Sequence, residues 1–256
     1  MMTEGVERIE ADGVIELHLD RADKKNALTA AMYRALTAAL ADASTRNDIA
    51  AVLIAGKGDA FCAGNDLKDF LAGPEGGQAA FDFIRAIAAF DKPIVAAVNG
   101  LAVGVGTTML FHCDLVYASP GARFTMPFVN LGILPEAGAS ILAPAVLGHA
   151  KAAAMLMLGE PLDAEAADRA GFVTAIVAAD DLLAHARAKA IKLTRQPPWA
   201  LAETRRLMRG DRTLLTARIG EEAELFGQAM QSAEAREAFT AFFEKRSPVF
   251  KREGVA

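Results

Sequence analysis

Three short apolar runs constrain this chain more than anything else in it: AAVLIAG (50–56), PIVAAVNG (93–100) and DLVYAS (114–119). None alternates with polar residues, so each reads as a strand buried on both faces, and such strands need a sheet covered on either side. Helical patterns lie between them, and that alternation predicts an α/β fold. GVIELHLD (13–20) behaves differently, setting Val14, Glu16, His18 and Asp20 against Ile15, Leu17 and Leu19. It reads as a half-buried strand. Thr29 then stands where an N-cap belongs, before a helix to about Ala43 with Met32, Leu36 and Leu40 on one face. The units share a loose plan of strand, glycine turn and helix but no clean period, so any repeat is divergent.

Beyond about residue 150 helix follows helix. AAAMLMLG ends at Gly159, DDLLAHARAKAIKLTR leads to Gln196, and Pro197-Pro198 break the chain. A boundary near Pro197 divides residues 1–196, the α/β core, from a helical region over 197–256. That region either covers the core or joins subunits.

Composition excludes several functions. With 27 basic against 32 acidic residues the net charge is −5, which argues against a nucleic-acid surface. The cysteines, Cys62 and Cys113, make no CxxC, and the four histidines make no HxxxH or HExxH, so no metal site is expected. The N-terminus lacks the apolar stretch of a signal peptide, no run is long enough to span a bilayer, and the chain ends EGVA, which is no peroxisomal address. A soluble cytoplasmic protein is the expectation.

Two glycine turns follow apolar strands, KGDAFCAGNDLKDF (57–70) and NGLAVGVGTTML (99–110). Gly100, Gly104 and Gly106 miss the GxGxxG spacing and no GK[ST] is present, so neither nucleotide motif applies. Such turns either serve only as strand-to-helix connections, or converge to aim two backbone N–H groups at one carbonyl oxygen. The other singular feature is Glu136 in LGILPEAGAS, the one formally charged residue between Phe124 and Ala150. A carboxylate among apolar residues must be solvated, paired or protonated. Glu136 reads either as a first-turn residue meeting a helix dipole or as an acid kept for chemistry.

FCAGNDL (61–67), NGLAVGVGTTML, CDLVYAS (113–119), ARFTMPFVNLGILPEAGAS (122–140) and EKRSPVFK (244–251) together resemble the crotonase, or enoyl-CoA hydratase/isomerase, superfamily, collinearly over nearly the whole chain. The resemblance implies a crotonase-like spiral of ββα units with a C-terminal helical region, trimers or dimers of trimers, and acyl-CoA substrates, with no cofactor besides the coenzyme A thioester itself. It implies an oxyanion hole from the N–H groups of Asn65 and Val105. It also implies coenzyme A contacts along Ala63, Gly64, Asp66 and Leu67, at Gly104, and in the loop of Lys24, Lys25, Asn26 and Ala27. The two glutamates of the family's hydratases fall on Thr108 and Phe128, which cannot do a carboxylate's work. A glutamate at position 136 instead resembles the Δ3,Δ2-enoyl-CoA isomerases, with Phe128, Leu131 and Met126 as apolar pocket walls. Hydration and non-catalytic acyl-CoA binding are the alternatives. Asp66 and Asp69 read as caps of the following helix, Asp114 as a structural ion pair and His112 as a packed helix-end residue. Lys245, Arg246 and Lys251 either meet coenzyme A phosphates or form a solvated basic tail.

Overall fold

A computed structural model of the protein describes residues 2, 3, 5–71 and 74–250. The chain opens as an antiparallel meander of β1 (Met2–Thr3), β2 (Val6–Ala11) and β3 (Val14–Leu19). Helix α1 (Ala30–Thr45) follows, capped by the Thr29 hydroxyl, which accepts from the Met32 N–H at 3.3 Å. Its Met32, Leu36 and Leu40 are buried, as their four-residue spacing predicts.

Three turns of a spiral come next, each placing two strands and then helix. The first is β4 (Ala51–Gly56), β5 (Ala60–Cys62), α2 (Leu67–Leu71) and α3 (Pro74–Ala89); the second is β6 (Ile94–Val98), β7 (Leu101–Val103) and α4 (Val105–Thr108). The third is β8 (Leu115–Ala118), β9 (Arg123–Thr125) and, after a loop, α5 (Ala139–Leu147). Then come α6 (His149–Ala153), β10 (Leu162–Asp163), α7 (Ala164–Arg169), β11 (Ala175–Ile176) and α8 (Leu182–Thr194), followed by α9 (Pro198–Arg209), α10 (Thr213–Met230) and α11 (Ala233–Glu244). The first strand of each spiral turn joins a seven-stranded sheet, order β1-β2-β3-β4-β6-β8-β11, and the second a four-stranded sheet, order β10-β9-β7-β5. The divergent repeat of the sequence is this spiral.

The continuous apolar runs are covered on both sides, as expected. Val52, Ile54, Ala96 and Val98 enter the main core beneath α1 and α3, while Leu53, Ala55, Val95 and Ala97 pack with Leu182, Ala186 and Ala190 of α8. Burying one such Val, Leu or Ile side chain stabilises the fold by about 1.5–3 kcal/mol. The half-buried reading of β3 is corrected: all six of its residues are buried. Arg187 of α8 pairs both oxygens of Glu16, and Glu16 in turn meets His18 Nε2 at 2.8 Å. The polar alternation therefore marks a satisfied buried cluster rather than a wet face.

Asp114 makes the expected structural ion pair. It accepts from Arg205 Nε at 2.9 Å, Arg209 Nη2 at 3.0 Å and the Ile94 N–H at 2.9 Å, tying α9 to the start of β6. Phe226 of α10 and Phe239 of α11 belong to the main core. Among the described residues no helix is long and apolar enough to cross a membrane.

Candidate active site

Strands β5 and β7 are parallel neighbours, so the turns after them meet at the C-terminal ends of the pair. Glycine makes the approach possible. A Cβ on Gly64 (φ +88°) would lie 2.9 Å from the Val103 carbonyl oxygen, and one on Gly106 would lie 2.5 Å from that of Cys62. Leu28 and Asn65 form a parallel bridge, with the Leu28 N–H donating to Gly64 at 2.7 Å and the Asp66 N–H to Leu28 at 2.8 Å. Among the described residues, the N–H groups of Asn65 and Val105 donate no hydrogen bond. The Asn65 side chain is held by the Tyr33 hydroxyl, which donates to its oxygen. Burial pushes the Tyr33 phenol well above its ordinary range, so that donor stays protonated.

A cleft of about 640 Å³ opens in front of the two turns. It brings together most of the residues the sequence nominated: Lys24 and Ala27, the run Ala63–Leu67, Gly104 with Val105, and Phe128 with Leu131. Asp66 does cap α2, accepting from the Lys68 and Asp69 N–H groups, and pairs with Arg21 at 3.0 Å. Asp69 instead accepts from the Ala30 N–H at the start of α1, at 2.6 Å.

Three of the nominated residues do not line the cleft. Asn26 is fully buried, accepting from the Arg21 N–H and donating to the Lys57 and Ala60 carbonyls, so it closes its loop and has no donor left for a ligand. Lys25 does not line the cleft and lies, exposed, 4.0 Å from Asp59. Met126 is sealed in the core rather than lining the cleft. The far wall was missed by the sequence reading. It consists of Phe226, Phe239, Phe242 and Phe243, with Arg246 at the rim paired to Glu237 and Glu244. Lys245 caps α11; Lys251 lies outside the described residues.

Glu136 stands behind this cleft. A small hollow of about 10 Å³ shares Asn65, Val105 and Phe226 with it and is otherwise walled by Tyr33, Ala80, Phe81, Ile84 and Glu136. Only 5% of Glu136 is exposed. The Thr108 hydroxyl donates to its Oε1 at 2.5 Å, while Oε2 is buried without a partner among the described residues. Burial pushes the carboxyl up to about 8; the nearby Glu222 carboxylate adds to this and Thr108 opposes it. The helix-start place proposed for Glu136 belongs to Glu222 of α10, which accepts from the Gly138 N–H at 2.6 Å and the Ser140 N–H at 3.1 Å. His112 is packed as expected. Burial holds it neutral, pushed down to about 4, and its Nε2 meets the Ala137 carbonyl at 2.8 Å.

A larger cavity, about 730 Å³, lies at the N-terminal ends of β3, β4 and β6, beside Gly13, Ala50 and Pro93. Its cations are already engaged: Lys92 donates to the Ala43, Arg46 and Ile49 carbonyls, Arg205 to Asp114, Arg206 to Glu203 and Arg212 to the Phe90 carbonyl.

The family model for enoyl-CoA hydratase/isomerase matches residues 9–253. Over 246 residues the chain is 37% identical to a probable enoyl-CoA hydratase of Rhodobacter capsulatus, covering 94% of this chain and 95% of that one. Over 248 residues it is 34% identical to a 1,2-epoxyphenylacetyl-CoA isomerase of Escherichia coli, covering 93% and 95%. The crystal structure of an enoyl-CoA hydratase/isomerase from Pseudoalteromonas atlantica superposes with a TM-score of 0.93 at 40% identity, covering 96% of this chain and all of that one.

Proposed function

This chain belongs to the enoyl-CoA hydratase/isomerase family, and we propose that it converts 3-enoyl-CoA to 2-trans-enoyl-CoA, with Glu136 carrying the proton. The observation behind this reading is the free, buried Oε2 of Glu136 in a hollow bounded by Asn65 and Val105, whose amides are themselves unused.

The chemistry follows from those parts. The carboxylate takes a proton from C2, and the electrons move through the thioester to its oxygen as a dienolate. The Asn65 and Val105 N–H groups stabilise that oxygen, each worth about 10²–10³ in rate. Returning the proton at C4 gives the conjugated product, so one acid/base serves both steps. Burial makes Glu136 a stronger base than an ordinary carboxylate, and the aromatic wall keeps out water that could add to the product. Lys24, the run Ala63–Leu67 and Gly104 bind the coenzyme A portion, and Phe128 and Leu131 the acyl portion.

Hydration is the second reading, supported by the name of the Rhodobacter relative. Against it, the positions that the family resemblance assigns to water-handling carboxylates hold Thr108 and Phe128. Assembly into trimers or paired trimers is supported by exposed Trp199, Leu207, Met208 and Leu214, and sedimentation tests it. For the activity, the ultraviolet absorbance of the conjugated thioester is followed with 3-enoyl-CoA and, separately, with 2-enoyl-CoA. Isomerisation raises the first signal. A fall in the second alone establishes hydration, and binding without either change leaves a non-catalytic acyl-CoA protein.

A further inference from the structure

Glu136 sits in a turn closed by one bond of its own, the Ala139 N–H donating to the Glu136 carbonyl at 3.0 Å. Ala137 takes a φ of +59°, a left-handed conformation unfavourable for a residue with a side chain, and Gly138 follows at +72°. Helix α5 begins immediately afterwards with no side-chain cap of its own. The Gly138 and Ser140 amides on either side of that bond would be orphaned were they not met from elsewhere.

They are met from α10, 84 residues on. Glu222 is 4% exposed, and its Oε2 accepts from the Gly138 N–H at 2.6 Å. Its Oε1 accepts from the Ser140 N–H at 3.1 Å and the Ser140 hydroxyl at 2.6 Å. On the other side of the turn, His112 meets the Ala137 carbonyl. Leu215 and Ile219, also of α10, pack so close to Gly138 that a Cβ there would lie 2.3 Å from Leu215 Cδ1. The turn carrying the proposed base is thus held between α10 and the His112 side chain.

We propose that Glu222 is a positioning residue for Glu136: gripping Gly138 and Ser140 from α10, it fixes where the carboxylate stands against the substrate. The inference rests on the isomerase reading of Glu136. Glu222 never touches the reacting atoms; it acts through the turn and through its charge. Its charge disfavours ionisation of Glu136, making that residue a stronger base. The other groups facing Glu136 are Thr108 from α4, Tyr33 from α1 and Cys62 from β5; Glu222 itself is faced by Ser140 and by Arg218, which donates to the Ser140 hydroxyl at 3.2 Å.

The test compares Glu222→Gln, Ser140→Ala and Glu136→Gln with wild type on 3-enoyl-CoA, measuring kcat, KM and the pH profile of kcat/KM. An amide at 222 keeps one acceptor for the two N–H groups of Gly138 and Ser140, so one of them faces a donor, and it removes the charge. Its kcat falls about ten- to hundred-fold through misplacement, KM stays within about twofold, and the ascending limb moves to lower pH. Ser140→Ala loses one hydroxyl grip and keeps the charge, so its kcat falls with the limb unmoved; this variant carries the test if Glu222→Gln does not fold. Wild-type kcat in Ser140→Ala, or a Glu222→Gln limb that stays put or moves to higher pH, overturns the proposal. Full activity in Glu136→Gln overturns the isomerase reading instead, whereas an inactive Glu136→Gln beside an unaffected Glu222→Gln overturns only the positioning role.

Discussion

Replacing Thr108 by valine removes the hydroxyl that donates to Glu136 while keeping the side chain's shape. Thr108 is fully buried, so no water stands ready to take over the bond. A hydrogen bond to a charged group is worth about 1.5–3 kcal/mol, and one pKa unit corresponds to about 1.4 kcal/mol. Because the hydroxyl favours the ionised form, its loss raises the Glu136 pKa by about one to two units. The wild-type limb of kcat/KM should rise with pH through about 8, since the base must be ionised to take the C2 proton. In Thr108→Val it should rise about one to two units higher, lowering kcat/KM at pH 7 by about ten- to hundred-fold and leaving the alkaline plateau nearly intact. The assay is initial-rate kinetics on 3-enoyl-CoA from pH 6 to about 10, within the range where the protein stays folded. An unmoved limb, or one moved to lower pH, would refute the assignment of that limb to Glu136.

Other consequences concern stability and binding. The folded-state pKa of Glu136 is raised from 4.5 to about 8, so the folded protein holds a proton there that the unfolded chain releases; the stability this lends is present below about 4.5 and lost as pH rises through about 8. Glu136→Gln should therefore gain thermal stability over wild type progressively from pH 5 to 9, by several kcal/mol at the alkaline end; a constant difference in Tm across that range contradicts the buried-acid account. Asp114→Ala leaves the buried Arg205 without its carboxylate and should cost about 3–5 kcal/mol in chemical denaturation; a cost under about 1 kcal/mol shows that α9 is held by packing alone. Lys24→Ala should raise KM several-fold with kcat unchanged, as expected for a group that binds coenzyme A without touching the reacting carbons; a loss confined to kcat removes Lys24 from the binding surface.

What the sequence made legible is what local pattern controls. The apolar runs specified strands with two covered faces, and Thr29 with its four-residue spacing specified α1. The lone charge of Glu136 stood out because its surroundings are continuous in sequence. Contacts made across long separations were illegible. Glu16 and His18 looked solvent-facing because the cover over them, Arg187, arrives about 170 residues later. Glu222 sits among Glu221 and Glu224 in an amphipathic helix, where nothing distinguishes a buried acid from its exposed neighbours. Asn26 was read as a ligand contact because the family resemblance implies coenzyme A contacts along its loop; only the fold reveals a side chain spent on three backbone groups. The aromatic wall of α10 and α11 likewise follows from how those helices dock.

The central claim is that Glu136 alone moves the proton between C2 and C4. Its most direct test is the rate of Glu136→Gln on 3-enoyl-CoA, an amide of nearly the same shape that cannot act as the base. The account predicts a loss of about 10²–10⁴ in kcat with KM little changed. A variant that isomerises within a few-fold of wild type contradicts it.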